Sequence, residues 1–350
     1  MLFIIIAIYN SCIILAKLML TQLFFLILGL ILLVLGSNYL LKSSVDLSLK
    51  YNISKVVIGL TVVSIATSAP ELLISISSVL KNSSDIAISN VIGSNIANFG
   101  LVLGLALFFS KIKISKDIIN QDWNFLMIVS VIFTFFALSK SEVCRIEGGI
   151  LFTLLILSLI YVFKKSKDDQ SEKKIIYKSN AKLILTIFVS SIMLYFGSEF
   201  FVESSIYFAD YFGVSERIIG LTIVAIGTSL PEVVTTLVAV FKKELDISIG
   251  NIIGSNIFNI LAVVGLTSIV KPLEITSKEN LQFDISVMFI FMLLLFLFYS
   301  LSALLVTLII MMSLFSSFGR QADKAIRSPM LAYCFMLLIE TRLSPRLVVL

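Results

Sequence analysis

A two-part motif occurs twice in this chain of 350 residues, and its two copies are related by one constant offset. Glu71 in the first copy corresponds to Glu232 in the second, an offset of 161 residues, and the alignment needs no gap. Apolar sequence readily produces chance matches among Leu, Ile and Val, but not repeated Thr-Ser-x-Pro-Glu and Gly-Ser-Asn-Ile groups at a fixed offset. The chain therefore contains an internal duplication. The first copy reads GLTVVSIATSAPELL at 59–73 and NVIGSNIANFGLVLG at 90–104, and the second reads GLTIVAIGTSLPEVV at 220–234 and NIIGSNIFNILAVVG at 251–265.

The rest of the chain consists mostly of apolar stretches that are long enough to cross a bilayer as helices. The composition is 58% hydrophobic and 14% charged, with a mean hydropathy of +1.06, whereas a soluble domain has about 45–50% apolar and about 25% charged residues. The alternation typical of membrane strands is absent, so the sequence predicts an all-α integral membrane protein with about ten transmembrane helices. The predicted spans lie at about 22–42, 56–80, 86–110, 123–140, 147–163, 182–202, 217–241, 247–270, 284–300 and 302–318.

Each copy of the motif lies five predicted spans from its counterpart. Because five is an odd number, the second half must enter the membrane upside down, which gives two inverted-topology repeats of five helices. Lysines concentrate in the loops that this arrangement places on the cytoplasmic side, above all in the linker 164–182, which has seven. The predicted segments are an N-terminal extension at 1–18, a first repeat at 19–163, the linker at 164–182, a second repeat at 183–319 and an atypical basic tail at 320–350.

The N-terminal extension has three interpretations. It is a signal-like segment, an additional helix, or translated upstream sequence with Met19 as the true start.

Glu71 and Glu232 lie in the middle of otherwise apolar spans, each directly after a proline, Pro70 or Pro231. A carboxylate at the bilayer centre costs about 2.5–3.5 kcal/mol on insertion scales, and no Lys or Arg within the spans is an evident partner. Two carboxylates at equivalent positions therefore indicate a function that requires them. A structural role, with each carboxylate hydrogen-bonded to a neighbouring helix, is the alternative.

The two prolines predict broken helices rich in oxygen atoms. A proline within a helix leaves the carbonyl four residues earlier without its usual donor, here the carbonyls of Ala66 and Gly227. Such sets of carboxylate, carbonyl and hydroxyl oxygens hold hard cations. An ordinary proline kink, with Ser and Thr bonding back to the helix, is the alternative. The hydroxyls in the same turns belong to Thr67, Ser68, Thr228 and Ser229.

The second part of each motif predicts a partner helix with a polar face. Asn90, Ser94 and Asn98 are spaced by four residues, as are their counterparts Asn251, Ser255 and Asn259, so each trio lies on one face. These side chains are predicted to be cation ligands or to support them. Gly93 and Gly254 are predicted to allow close helix packing.

Two buried carboxylates carry two negative charges, which one divalent cation or several monovalent cations can neutralise. A site that cannot be empty without leaving two buried charges resists crossing the membrane unloaded, and this predicts obligatory exchange. Protons could neutralise the carboxylates in place of metal cations, because burial favours the neutral form of a carboxyl group. The alternative function is therefore exchange of calcium or another cation for protons.

Other functional classes have little support. The chain has no histidine and only three scattered cysteines, which excludes His-based zinc sites and Ser-His-Asp triads. We therefore expect a secondary transporter and not an enzyme. The basic residues form no run with interleaved aromatic residues, so nucleic-acid binding is not expected. A channel is disfavoured because two inverted half-sites suit alternating access better than a pore.

At these residues the sequence resembles the sodium/calcium exchanger family of the calcium/cation antiporter superfamily, prokaryotic type, whose alpha-1 and alpha-2 repeats match the two copies. The resemblance implies ten helices in two inverted halves and electrogenic exchange of sodium for calcium. It also implies that the helices at 22–42 and 182–202 slide to alternate access. The expected partners are calcium and sodium ions and the lipid bilayer of the cell membrane, with no cofactor and a monomer or weak oligomer.

The resemblance also implies roles for individual residues. The carboxylates of Glu71 and Glu232 would be shared by calcium and sodium, and Asn98 and Asn259 would face the central site. Asn at position 259 is typical of the potassium-independent branch of the family, because potassium-dependent relatives have Asp there. Backbone oxygens of Thr67 and Thr228 would coordinate calcium. The flanking sodium sites would be lined by Ser68, Ser94, Ser229 and Ser255, with backbone oxygens of Ser64 and Ala225.

Overall fold

A computed structural model of the protein describes residues 2–110, 118–140, 142–166, 179–213 and 225–300, all within one compact unit. Almost every described residue is helical. The helices are α1 (Leu2–Tyr51), α2 (Lys55–Ile58), α3 (Ser64–Thr67), α4 (Ala69–Leu80), α5 (Ser84–Ala97), α6 (Leu103–Phe109), α7 (Asn124–Ser139), α8 (Arg145–Ser166), α9 (Asn180–Tyr211), α10 (Ala225–Gly227), α11 (Leu230–Phe241), α12 (Leu245–Phe258), α13 (Gly265–Val270) and α14 (Lys278–Ser300). The π-helical segments are Gly59–Val63, Asn98–Val102, Ile118–Trp123 and Asn259–Val264, and the strands are β1 (Glu142–Val143) and β2 (Leu273–Glu274).

Described helices lie within each of the first nine predicted spans, although residues 217–224 of the seventh predicted span lie outside the described residues. Among the described residues, six helices are long and apolar enough to cross a membrane, or seven if the bent pair α2–α3 and α4 is one span. This confirms an all-α membrane protein, while the count of ten remains a prediction. The tenth predicted span at 302–318 and the tail at 320–350 lie outside the described residues.

Helix α1 is longer than the predicted first span. It continues from Leu2 through the N-terminal extension as one helix of 50 residues, so the extension is not a separate helix. The sequence offers a reason, because the junction around Lys17–Thr21 contains no glycine or proline to end the helix.

Helices α1 and α9 pack closely through small residues. A methyl group added at Gly29 would lie 2.7 Å from the carbonyl oxygen of Gly197, and one added at Gly197 would lie 3.0 Å from the carbonyl oxygen of Gly29. Only glycine allows two backbones to approach this closely, as in many membrane helix pairs.

Both motif copies fold as broken helices. The first broken helix runs through α2, a π-helical turn and α3, then bends by 43° into α4 at Ser68. The described part of the second broken helix, α10 and α11, breaks at Ser229. Ser68 (φ −91°, ψ 8°) and Ser229 (φ −88°, ψ 6°) have nearly the same backbone conformation. In each copy the proline follows the break within the first turn of the next helix, where it needs no N–H partner.

The partner helices pack against the broken helices. The first partner helix comprises α5, a π-helical turn and α6, and the second comprises α12, a π-helical turn and α13. A methyl group at Gly59 of the first broken helix would lie 2.6 Å from the carbonyl oxygen of Ile247 in the second partner helix. Gly254 faces the backbone of Leu60, as predicted, whereas Gly93 has no atom within 4 Å of that position among the described residues.

Contacts between loops agree with the prediction that successive loops lie on opposite sides of the membrane. On the side predicted to be extracellular, β1 pairs antiparallel with β2, Lys271 bonds to Asn82, and the Thr276 hydroxyl donates to Asp85 at 2.5 Å. On the side predicted to be cytoplasmic, Lys55 forms an ion pair with Glu244 at 2.6 Å.

Candidate functional site

The predicted site residues from both halves come together where the broken helices meet the partner helices. Glu71 is fully buried and Glu232 is 1% exposed, and Ser68, three residues before Glu71, donates a hydrogen bond to the carboxylate of Glu232. Thr228 is half-buried, and Ala225 lies in α10, where only its backbone is described. The other predicted site residues are also buried, namely Ser64, Thr67, Ser68, Ser94, Asn98, Ser229, Ser255 and Asn259.

Two hydroxyl pairs cross between the halves in a symmetric manner. The Thr67 hydroxyl lies 3.4 Å from that of Ser255, and the Thr228 hydroxyl lies 3.5 Å from that of Ser94. Adding the repeat offset of 161 residues to Thr67 gives Thr228, and adding it to Ser94 gives Ser255. Each broken helix therefore contacts the partner helix of the opposite half through equivalent residues.

A second symmetric pair lies within each half. Asn90 donates its amide N–H to the Ser75 hydroxyl at 3.1 Å, and the equivalent Asn251 donates to Thr236 at 3.2 Å. These bonds tie each partner helix to the helix that carries the glutamate. The supporting role of Ser75 and Thr236 was missed in the sequence, although their matched positions at the repeat offset are a signal for it.

The two carboxylates differ in their hydrogen bonds. The hydroxyls of Ser68 and Ser255 donate to Oε1 of Glu232 at 2.7 and 3.4 Å. The Oε2 atom of Glu232 and both carboxylate oxygens of Glu71 are buried without a hydrogen-bond partner in the described structure. The hydroxyl of Ser229 is likewise buried and unpartnered.

Of the two carbonyls that the prolines leave without a helical donor, that of Gly227 has another hydrogen-bond partner. The Ser198 hydroxyl of α9 donates to the carbonyl oxygen of Gly227 at 2.7 Å, which corrects the prediction of a bare carbonyl there. Ser37, the equivalent of Ser198, instead lies 3.0 Å from the Thr235 hydroxyl. The sequence could not reveal this difference, since it depends on how α1 and α9 pack against the two broken helices.

These atoms form an oxygen-rich site suited to a hard cation. Three buried carboxylate oxygens lack partners, and among the described residues neither Glu71 nor Glu232 pairs with Lys or Arg. An unpaired buried charge is costly, and a cation would remove this cost. The side-chain amide oxygen of Asn259 is also buried and has no partner among the described residues, and the same holds for both polar atoms of the Asn98 amide. The donor set fits Ca²⁺ and Na⁺, which prefer oxygen ligands.

The fold and the site define a multi-pass helical membrane protein with a buried carboxylate site shared by two repeated halves. Comparison with known proteins identifies the family. The family model described as "Sodium/calcium exchanger protein" matches residues 21–164 and 182–339. The chain belongs to the sodium/calcium exchanger family.

Similar proteins agree with this assignment. The sodium/calcium exchanger MaX1 of Methanosarcina acetivorans is 34% identical over 319 residues, which cover 79% of this chain and 90% of MaX1. The inner membrane protein YrbG of Escherichia coli is 34% identical over 71% of this chain and 80% of its own length. A solved structure of the sodium-calcium exchanger NCX_Mj, soaked with Na⁺ and Sr²⁺, superimposes with a TM-score of 0.70 at 30% identity, covering 85% of this chain and 99% of that one.

Proposed function

We propose that this protein is a secondary antiporter that exchanges sodium for calcium across the cell membrane by alternating access. It acts as a transporter and not as an enzyme, and calcium and sodium are its cargo. The observation that carries the proposal is the set of three buried carboxylate oxygens on Glu71 and Glu232 that have no hydrogen-bond partner in the described part of the chain. Buried carboxylates of this kind need bound cations or protons to be stable in a low-dielectric interior.

The arrangement of the oxygens supports competition between the two ions for one site. One Ca²⁺ balances the two carboxylates, while Na⁺ ions can occupy the same oxygens and the flanking hydroxyls of Ser68 and Ser229. Because the carboxylates belong to opposite halves of the chain, a cation between them links the two repeats. Loss of either carboxylate is therefore expected to abolish transport.

Vesicles that contain the purified protein test the proposal. They are loaded with sodium and diluted into sodium-free or sodium-containing buffer with labelled calcium. The expected result is calcium uptake that requires the outward sodium gradient and is lost in Glu71→Gln and Glu232→Gln. Glu244→Gln makes the same chemical change at the Lys55 ion pair, outside the site, and should retain uptake. Uptake that ignores sodium but follows a pH gradient would contradict the proposal in favour of proton exchange.

A further inference from the structure

Asn95 lies beside the site but is not among its predicted ligands. It is fully buried on the first partner helix, directly after Ser94. Its side-chain Oδ1 accepts a hydrogen bond of 3.1 Å from Nδ2 of Asn259, which starts the π-helical segment of the second partner helix. The bond connects the two halves of the chain at the level of the site.

The direction of this hydrogen bond is set by a third residue. The Nδ2 of Asn95 donates to the sulfur of Met288 in α14 at 3.8 Å, and Met288 is fully buried. A thioether sulfur can accept a hydrogen bond but cannot donate one. Asn95 therefore turns its N–H group towards Met288 and its oxygen towards Asn259.

The orientation of the Asn259 amide follows from this relay of Met288, Asn95 and Asn259. With its N–H group on Asn95, Asn259 keeps its Oδ1 buried and without a partner in the described structure. The segment Asn259–Val264 packs against α4, the helix that carries Glu71. Only the oxygen of an amide can coordinate a cation, since the N–H group is the positive end of the dipole.

We propose that Asn95 is a positioning residue that orients the Asn259 amide so that its oxygen faces the cation site. The inference rests on the proposed function and assigns Asn95 to the affinity of that site for calcium. Without Asn95, the Asn259 amide would be free to turn its N–H group towards the cation, and calcium would bind only to the fraction with the correct orientation.

As far as the structure describes it, the other half of the chain lacks this relay and provides a control. The equivalent of Asn95 is Asn256, whose N–H group bonds to the carbonyl oxygen of Ile252 in its own helix at 2.6 Å. Neither polar atom of the Asn98 amide has a described partner. Asn256→Leu is therefore a matched substitution that should not change the orientation of either site amide.

A double-mutant cycle measured by equilibrium binding of labelled calcium to the purified protein tests the proposal. Asn95→Leu is compared in the natural chain and in Asn259→Asp, whose carboxylate presents an acceptor oxygen in either orientation. In the natural chain, Asn95→Leu should raise the calcium Kd roughly tenfold, the size expected from losing one hydrogen bond at a buried site. In Asn259→Asp the same substitution should have at most about a twofold effect, as orientation no longer matters there. Asn256→Leu should bind calcium like the natural chain.

The outcomes separate this inference from the proposed function. Equal loss of affinity in both backgrounds would mean that Asn95 acts through packing alone and would overturn the inference.

If Asn95→Leu does not fold, Met288→Leu replaces it in the cycle, because a Met-to-Leu exchange keeps volume while removing the acceptor. Met288→Leu should also raise the calcium Kd of the natural chain. An equal rise in the Asn259→Asp background would overturn the inference. Absence of sodium-driven calcium uptake by the natural chain would refute the proposed function and, with it, this inference.

Discussion

The hydroxyl of Ser68 donates a hydrogen bond of 2.7 Å to the carboxylate of Glu232, across the boundary between the two halves of the chain. Their repeat equivalents make no such bond, because the hydroxyl of Ser229 and both carboxylate oxygens of Glu71 are buried without a described partner. The two halves are therefore similar in sequence but unequal in hydrogen bonding. Glu232 is stabilised partly by hydrogen bonds within the protein, whereas Glu71 is predicted to depend on a bound cation.

This difference in hydrogen bonding predicts that two equivalent substitutions lower the free energy of unfolding by different amounts. Ser68→Ala removes a hydrogen bond to a charged group and should lower the free energy of unfolding in the absence of cations by about 1.5–3 kcal/mol. Ser229→Ala removes a hydroxyl that has no described partner and should change it by less than about 0.5 kcal/mol. Thermal unfolding in sodium-free and calcium-free buffer measures both. Equal destabilisation by the two variants would contradict the asymmetric hydrogen bonding.

The dependence of Glu71 on a cation predicts a loss of calcium-induced stabilisation. A ligand at 100 times its Kd stabilises the folded state by about 2.7 kcal/mol, so calcium should raise the melting temperature of the natural chain. In Glu71→Gln this rise should vanish, while the melting temperature without cations should stay the same or increase because a buried unpaired charge is removed. A calcium-induced rise that persists in Glu71→Gln would show that calcium binds elsewhere.

Because the first broken helix packs closely on the second partner helix, adding one methyl group at their contact should strongly lower the stability of the protein. Gly59→Ala would place its methyl group 2.6 Å from the carbonyl oxygen of Ile247 and should destabilise the protein by about 1–3 kcal/mol. Gly93→Ala makes the same change where no described atom lies within 4 Å, and should be neutral or stabilising by up to about 1 kcal/mol. Chemical or thermal unfolding of the two variants gives the comparison.

The sliding of α1 and α9 that the family resemblance implies predicts that the position of a cross-link decides its effect on exchange. Gln22 on α1 accepts from Ser204 on α9 at 3.2 Å, whereas Ser37 on α1 lies 3.0 Å from Thr235 on α11. If α1 and α9 move as one unit, a cysteine cross-link at Gln22 and Ser204 should leave exchange intact. A cross-link at Ser37 and Thr235 should block exchange until it is reduced.

The same bis-methanethiosulfonate reagent, which links two cysteines through reducible disulfide bonds, is applied to both pairs, with Cys12, Cys144 and Cys334 replaced by serine. Sodium-driven calcium uptake is measured before and after reduction. Blocked exchange at the first pair, or free exchange at the second, would contradict movement of α1 and α9 as a unit.

The grouping of the candidate site residues was predictable from the sequence because the same polar residue types recur at a fixed offset. Mid-span carboxylates, the prolines before them and the Asn and Ser faces of the partner helices all identify positions that the structure brings together, as the Thr67–Ser255 and Thr228–Ser94 pairs demonstrate. Both breaks also fall where the prolines predict them, at Ser68 and Ser229.

Features that depend on contacts between distant helices were not predictable. The sequence treats Ser37 and Ser198 as equivalent, yet only Ser198 bonds to a proline-freed carbonyl. It gives no sign that Asn95 bonds to Asn259, which lies 164 residues away. The continuation of α1 through the N-terminal extension was left open because apolar composition alone cannot distinguish one long helix from two.

Obligatory coupling is the central claim, and sodium efflux measures it most directly. Vesicles holding the protein are loaded with labelled sodium and diluted into medium that lacks both sodium and calcium. Because an empty site would leave Glu71 and Glu232 buried without a counterion, almost no label should leave until external calcium is added, and release should then accompany calcium entry. Rapid loss of labelled sodium into cation-free medium, through the protein and independent of external calcium, would contradict the account.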